Sequence, residues 1–252
     1  MSNKLPTVLI TGSNGGIGKA LVLTFLEAGH KVIATDKASS CAISNKNIYY
    51  VPIDLEKFVN NNAYLTSSMN KIKKVLDGQG LNILINNAAV QCLGTVEKLK
   101  KINWQQSLDV NLTAPFYLIQ ELLPRLVQAQ GCIINISSIH AQLTKREFVA
   151  YATTKAAISG LTRAMAVDLE DKVRVNAIEP AAIETPMLLD GFKDNPGVYK
   201  KLKTYHPQKR IGKPEEVAQL ALTLANNKFN FLHGACIPLD GGIKGRLYDP
   251  VV

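Results

Sequence analysis

Short apolar runs rich in β-branched residues recur along the chain, and between them stand longer stretches whose apolar positions repeat at helical spacing. The short runs predict strands over residues 8–11, 31–35, 48–52, 83–86, 132–137, 174–178 and 236–239. The longer ones predict helices over 17–28, 61–76, 104–130, 151–169 and 214–225. Repeated strand–helix units imply right-handed crossovers and a parallel sheet with helices on both faces. The expected fold is therefore α/β and doubly wound, with a seven-stranded parallel sheet in a single domain over residues 1–252. Pro115 and Pro124 fall inside the 104–130 stretch and predict a kink or break there. Residues 181–213 hold Pro186, Pro196 and Pro207 between a strand and the last helix. In open α/β sheets ligands bind beyond the carboxyl ends of strands, so this insertion is expected to be a substrate lid.

The bulk numbers narrow the class. The 252 residues are 46% hydrophobic and 19% charged, with no stretch as long and apolar as a membrane span. No signal-peptide pattern opens the sequence, and the four cysteines, Cys41, Cys92, Cys132 and Cys236, show no disulfide or metal-ligand spacing. A cytoplasmic protein with reduced thiols and no metal is expected. The net charge of +9 is dispersed, and its densest groups, Lys71-Ile72-Lys73-Lys74 and Lys200-Lys201-Leu202-Lys203, lie on predicted helices without aromatic platforms. Solvated helix faces, rather than nucleic-acid binding, account for them.

The chemistry begins at Thr11-Gly12-Ser13-Asn14-Gly15-Gly16-Ile17-Gly18, between the first predicted strand and helix. A glycine turn there lets a pyrophosphate approach main-chain N–H groups at the positive end of a helix. The glycine spacing is not the commoner dinucleotide fingerprint, and Ala20 after Gly18-Lys19 excludes a P-loop. Asp36 ends the second strand eighteen residues beyond Gly18. Its carboxylate suits the adenosine ribose hydroxyls and repels a 2′-phosphate, which favours NAD over NADP. Lys37 argues the other way, but on an extended strand it points to the opposite face.

Tyr151 and Lys155 stand at i and i+4, on one face of a predicted helix. An ammonium beside a phenol lowers the phenol's pKa and suits it to proton transfer. Upstream, Ser137-Ser138 ends a strand, where one hydroxyl can hold a substrate oxygen.

In these motifs the chain resembles the short-chain dehydrogenase/reductase superfamily, nearly end to end. The match comprises the glycine turn, Asp54, Asn86-Asn87-Ala88, Asn111, Ser138, Tyr151 with Lys155, and Asp240-Gly241-Gly242. The resemblance implies a Rossmann-type fold and a nicotinamide dinucleotide cofactor. It implies Tyr151 as general acid/base, Lys155 as its modulator and a ribose ligand, Ser138 as the residue orienting substrate, and Asn111 as holding a relay water. Cofactor contacts are implied at Gly12, Asn14, Gly16, Ile17, Gly18, Asp36, Asp54, Leu55, Asn87, Ala88, Tyr151, Lys155, Pro180, Ile183 and Thr185. Asp54 would touch the adenine, Asn87 would stabilise the central strand, and Thr185 would meet the nicotinamide carboxamide. A homotetramer packed through the helices over 104–130 and 151–169 is also implied, with Leu247, Tyr248, Val251 and Val252 of the tail reaching a neighbour. Two positions depart from the family pattern, Ala89 and Ala181 standing where glycine is usual. They are expected to reduce conformational freedom without removing activity.

Substrate contacts are expected from Ser138, Tyr151, His140 and Gln91, the last two flanking the nicotinamide pocket. The pair His140 and Gln91 resembles 3-hydroxybutyrate dehydrogenases, but Phe148 and Leu189 replace that group's polar pocket residues, leaving a short carboxylate without a charge partner. The region around Pro180 and Thr185 is similar instead to sugar, polyol and 3-oxoacyl reductase-like members. The expected reaction is hydride transfer between NAD(H) and a secondary alcohol/ketone, possibly a sugar, polyol or hydroxy acid. The alternatives are an NADP-dependent 3-oxoacyl reductase-like enzyme and a catalytically idle dinucleotide-binding regulator.

Overall fold

The computed structural model describes residues 5–247. Seven strands, β1 (Thr7–Thr11), β2 (Lys31–Thr35), β3 (Ile48–Tyr50), β4 (Ile83–Asn86), β5 (Cys132–Ile136), β6 (Arg174–Pro180) and β7 (Cys236–Leu239), form one parallel sheet. Their order is β3-β2-β1-β4-β5-β6-β7. The order reverses between β1 and β4, so the connections leaving these two strands diverge and open a crevice at their carboxyl ends. Gly12 and Asn87 are the first residues past those ends.

Strand periodicity divides the core. Leu9, Ile33, Leu84, Ile133 and Val175 face one side of the sheet, under helices α2 (Leu55–Asn60), α3 (Asn62–Leu76), α5 (Ala114–Gln128) and α6 (Val149–Leu169). Val8, Ile10, Val32, Ile85, Ile134 and Ile178 face the other, under α1 (Gly16–Glu27) and α9 (Pro214–Ala225). Each fully buried side chain of this size stabilises the fold by about 1.5–3 kcal/mol, so both faces being covered is what holds the strand ends in place.

The predicted helix over 104–130 is three pieces. Helix α4 (Lys101–Leu108) passes into one wide turn, Asp109–Thr113, closed by Ala114 N–H donating to the Asp109 carbonyl, and α5 follows with Pro115 in its first turn. Pro124 lies inside α5 without ending it. The lid segment contains two helices that the sequence pattern did not predict, α7 (Pro186–Asp190) and α8 (Pro196–Tyr205). Its two ends are clasped together: Gly212 N–H donates to the Ala182 carbonyl at 2.9 Å and Glu184 N–H to the Gly212 carbonyl at 2.9 Å. Of the tail residues expected to reach a neighbour, Leu247 is exposed, while Tyr248, Val251 and Val252 lie outside the described residues.

Candidate active site

At the crevice, Gly12 adopts φ +65°, and a Cβ there would stand 2.8 Å from the Ala88 Cα. A Cβ on Gly18 would collide with the Gly12 carbonyl. The turn is thus packed so closely that only glycine fits. Helix α1 starts at Gly16 with no side-chain cap and no acidic residue in its first turn. Its N-terminal N–H groups and dipole remain available to an anion, which fits the pyrophosphate of a dinucleotide. Asn87 ties the two diverging strands together, its Nδ2 donating to the carbonyls of Thr11 at 2.8 Å and Gly12 at 3.1 Å. Thr11 Oγ1 accepts the N–H groups of Asn87 and Ala88, each at 3.0 Å. Ile17, in the first turn of α1, packs partly buried against the α1 side of the core.

Past β2, the Asp36 carboxylate accepts the Asn14 N–H at 3.1 Å and the Ala38 N–H at 3.2 Å. Each oxygen keeps a lone pair for a ribose hydroxyl. Asn14 acts as a brace: its amide donates to the Ser40 carbonyl at 2.9 Å and accepts from Ala42 N–H at 2.8 Å, fixing the loop beside Asp36. Asp54 spends one oxygen capping α2, accepting from Glu56 and Lys57 N–H, and Leu55 is a core residue.

The carboxyl end of β5 and the start of α6 bring together Ser138, Tyr151 and Lys155. Ser138 is buried, its Oγ accepts the His140 N–H at 3.1 Å and donates to the Pro180 carbonyl at 3.5 Å, and it lies close enough to the Tyr151 phenol to lower that group's pKa. Lys155 is buried, with Nζ donating to the Ile136 carbonyl at 2.7 Å and lying 5.5 Å from the Tyr151 ring centroid. The expected lowering of the tyrosine pKa is overturned in this geometry. Burial pushes the Tyr151 phenol up to about 12, against a smaller lowering from Ser138 beside it. Burial likewise lowers Lys155 to about 8. Helical spacing placed the two on one face but carried no information about desolvation, which dominates both.

The neighbouring serine does other work. Ser137 Oγ donates to the Lys155 carbonyl at 2.9 Å and pairs with Ser159 Oγ at 2.8 Å. Asn111 sits in the wide turn. Its Nδ2 donates to the Val90 carbonyl and Thr154 Oγ1, while its Oδ1 accepts the Val90 N–H. Both amide protons are used, so its side chain positions the loop after β4 and the first turns of α6 rather than donating to a relay water.

Sequence reasoning missed Glu179. This carboxylate, 1% exposed, accepts from Ser159 Oγ at 2.9 Å and Gln142 Nε2 at 2.9 Å. It fastens the loop carrying His140 to the sheet and to α6. A charged residue inside the apolar run of β6 was the available signal.

Beside Tyr151, His140 stacks on Phe148, ring centroids 4.6 Å apart, and both stand edge-on to Tyr151. Its Nδ1 is buried without a hydrogen-bond partner. Burial and the Lys145 charge lower its pKa to about 4, leaving a neutral imidazole near pH 7. Gln91 is exposed on the loop after β4, and that loop is fixed by Gly94 N–H donating to the Glu147 carbonyl at 2.8 Å. Pro180 closes β6 with its carbonyl 3.5 Å from Ser138 Oγ, and Ile183 is buried at the lid base. Thr185 caps α7, and its methyl lies where a Cβ on Gly16 would come within 2.8 Å. Met187 and Leu189 of α7 face solvent, while Phe192 packs against Tyr199. Neither Ala89 nor Ala181 has a positive φ, so the usual glycine is not required at either place.

Comparison with known proteins agrees with this fold. A family model described as enoyl-(acyl carrier protein) reductase matches residues 12–244. The chain belongs to the short-chain dehydrogenase/reductase superfamily. The 3-oxoacyl-[acyl-carrier-protein] reductase FabG of Thermotoga maritima is 33% identical over 239 residues, covering 93% of this chain and 96% of the relative. The ligand-free aldohexose dehydrogenase of Thermoplasma acidophilum superimposes with a TM-score of 0.90 at 29% identity, covering 99% of this chain and 98% of that one. ElxO, solved with NADP bound, superimposes with a TM-score of 0.86 at 26% identity, covering 96% and 100%. This short-chain dehydrogenase/reductase is an oxidoreductase of CH–OH groups and their carbonyl counterparts. Among its described residues, no helix is long and apolar enough to cross a membrane.

Proposed function

We propose that the enzyme interconverts a secondary alcohol and its ketone at Ser138, Tyr151 and Lys155, with NAD as the preferred cofactor. The convergence of a buried phenol, its serine partner and a buried ammonium at the mouth of the strand-order reversal carries this reading. Gly12, Asn14, Gly16, Ile17 and Gly18 would hold the pyrophosphate side. Asp36, Asp54 and Leu55 would hold the adenosine, with Asn87, Ala88, Pro180, Ile183 and Thr185 near the nicotinamide. Bound NAD supplies the acceptor for the electron pair leaving the alcohol carbon. Asp36 supports NAD over NADP through repulsion of a 2′-phosphate, although the neighbour ElxO was solved with NADP.

Ser138 Oγ accepts the His140 N–H and donates to the Pro180 carbonyl over a long 3.5 Å contact, which a substrate oxygen would replace when it binds. In reduction the Tyr151 phenol gives its proton to the substrate oxygen; in oxidation the phenol must first release its own proton, which positive charge on Lys155 favours, before it takes the one from the alcohol. Lys155, with its pKa near about 8, holds positive charge behind the phenol and exchanges its own proton near working pH. His140 and Gln91 border the substrate, and Asn111 keeps Val90 and α6 in register. A homotetramer is supported by the apolar residues left exposed on α4, α5 and α6, namely Ile102, Phe116, Val127 and Val167.

Tyr151→Phe tests the assignment. Turnover of alcohols should fall by about 10²–10⁴-fold, the contribution of a positioned acid/base. NADH should still bind, and more tightly than NADPH. An active variant would overturn the role of Tyr151, and tighter NADPH binding would overturn the cofactor preference.

A further inference from the structure

Three buried polar side chains, Ser137, Ser159 and Glu179, meet where β5, β6 and α6 come together. Ser137 Oγ stands 2.8 Å from Ser159 Oγ, and Ser159 Oγ donates to Glu179 Oε1 at 2.9 Å. The other carboxylate oxygen, Oε2, accepts from Gln142 Nε2 at 2.9 Å. Residues 138–142 between these contacts form one short turn. Ser138 Oγ accepts the His140 N–H, Ala141 N–H donates to the Ser138 carbonyl at 2.9 Å, and Gln142 N–H donates to the Ile139 carbonyl at 3.0 Å.

The turn is therefore gripped at both ends by one cluster. Ser137, just before it, reaches Ser159; Gln142, which closes it, reaches Glu179. Ser138 lies between the two grips, and Pro180, the residue after Glu179, supplies the carbonyl that Ser138 Oγ meets at 3.5 Å. Among the described residues Glu179 takes part in no ion pair, so hydrogen bonds rather than an opposite charge compensate its burial. Both of its oxygens are spent in doing so. Packing alone would be met by an apolar side chain, as it is by Val175 and Ala177 on the same face of β6.

We propose that Glu179 is a positioning residue: by joining Ser159 to Gln142 it fixes the turn that carries Ser138 and His140, and so sets where the Ser138 hydroxyl stands relative to Tyr151. This rests on the reading of Ser138 as the group that orients the substrate oxygen. Glu179, 1% exposed, acts through the turn. A catalytic group misplaced by about 1 Å can cost about 100-fold in rate, so a contact this far from the chemistry is felt there.

The test exchanges the partners. Gln142→Glu sets a second carboxylate against Glu179 from an exposed position that the fold tolerates, and repulsion should swing the end of the turn away. Adding Glu179→Gln recreates an amide–carboxylate pair in the opposite sense. The probes are cyclohexanol, sorbitol, glucose and 3-hydroxybutyrate with NAD. With whichever is turned over best, kcat should fall about 10–100-fold in Gln142→Glu while NADH affinity holds, and the double variant should return to within about threefold of wild type. A merely structural contribution would lower the thermal midpoint without this repair. The ring resonances of His140, which stacks on Phe148 and is assigned through His140→Gln, should move in Gln142→Glu and return in the double variant. Where an alcohol is turned over, an unchanged kcat in Gln142→Glu, or a loss that Glu179→Gln does not repair, overturns the proposal and leaves the alcohol/ketone reading intact. Where none of the four is turned over, that reading fails and the His140 resonances decide: movement that the second change repairs supports Glu179, and unmoved or unrepaired resonances overturn it.

Discussion

Lys155 carries its ammonium into a place where a main-chain carbonyl, that of Ile136, receives it. Its folded pKa, about 8, lies below the ordinary value of 10.5. Between those values the unfolded chain binds a proton that the folded chain does not, so stability rises with pH across that window. Below it both states are protonated and the burial penalty is fully present. The thermal midpoint of the ligand-free protein should therefore climb more steeply between about pH 8 and 10 in wild type than in Lys155→Met. Tyr151, raised to about 12, opposes this only above its ordinary value of 10.0. Equal slopes would show that Lys155 titrates normally. The sequence made this pair legible as a pair. It did not reveal the burial, because desolvation is a property of everything packed around α6.

At the scale of elements, the wide turn between α4 and α5 depends on Asn111. Its side chain satisfies both main-chain groups of Val90 and one hydroxyl, that of Thr154. Asn111→Ala leaves these buried groups unpaired, at a cost of about 2–4 kcal/mol. Urea unfolding would measure it, and a loss well under about 1 kcal/mol would mean that the turn is held by something else. Local pattern predicted one helix here because the partners of Asn111 lie 21 and 43 residues away in sequence. The strands were read more easily, since full burial on both faces leaves continuous apolar runs. Helix α2 was missed because it is six residues long, although its cap, Asp54, was in view. Helices α7 and α8 each begin with proline in the first turn, a start signal that the expectation of a lid over residues 181–213 leaves unused.

Across the whole molecule, the lid is joined to the sheet domain at a narrow base. Glu216 on α9 accepts both Arg210 N–H groups at 2.7 Å and the Lys213 N–H at 2.8 Å. These contacts lower its pKa to about 2, with the Arg210 hydrogen bonds the largest cause. The clasp is complete above the ordinary value of 4.5 and is lost only as pH falls toward about 2. Glu216→Gln should cost under about 1 kcal/mol globally, because both partners are partly exposed and solvent screens them. Amide exchange within residues 184–211 should nevertheless quicken while exchange in the sheet does not, and unchanged exchange would show the base is held elsewhere. The Tyr151–Lys155 spacing and the glycine turn were legible at sequence level, being local motifs. Glu179 was not, since its meaning comes from Gln142 and Ser159, which only the folded chain brings to it.

Ala89 and Ala181 have a consequence outside the native state. Both hold ordinary negative backbone angles, so their methyl groups introduce no torsional strain. In the denatured ensemble, however, each methyl removes conformers that glycine would visit. At sites of this kind the narrower ensemble raises stability by about 0.4–1 kcal/mol per residue. The two loops that follow β4 and β6 thus gain firmness from what the disordered chain has lost, with no added contact.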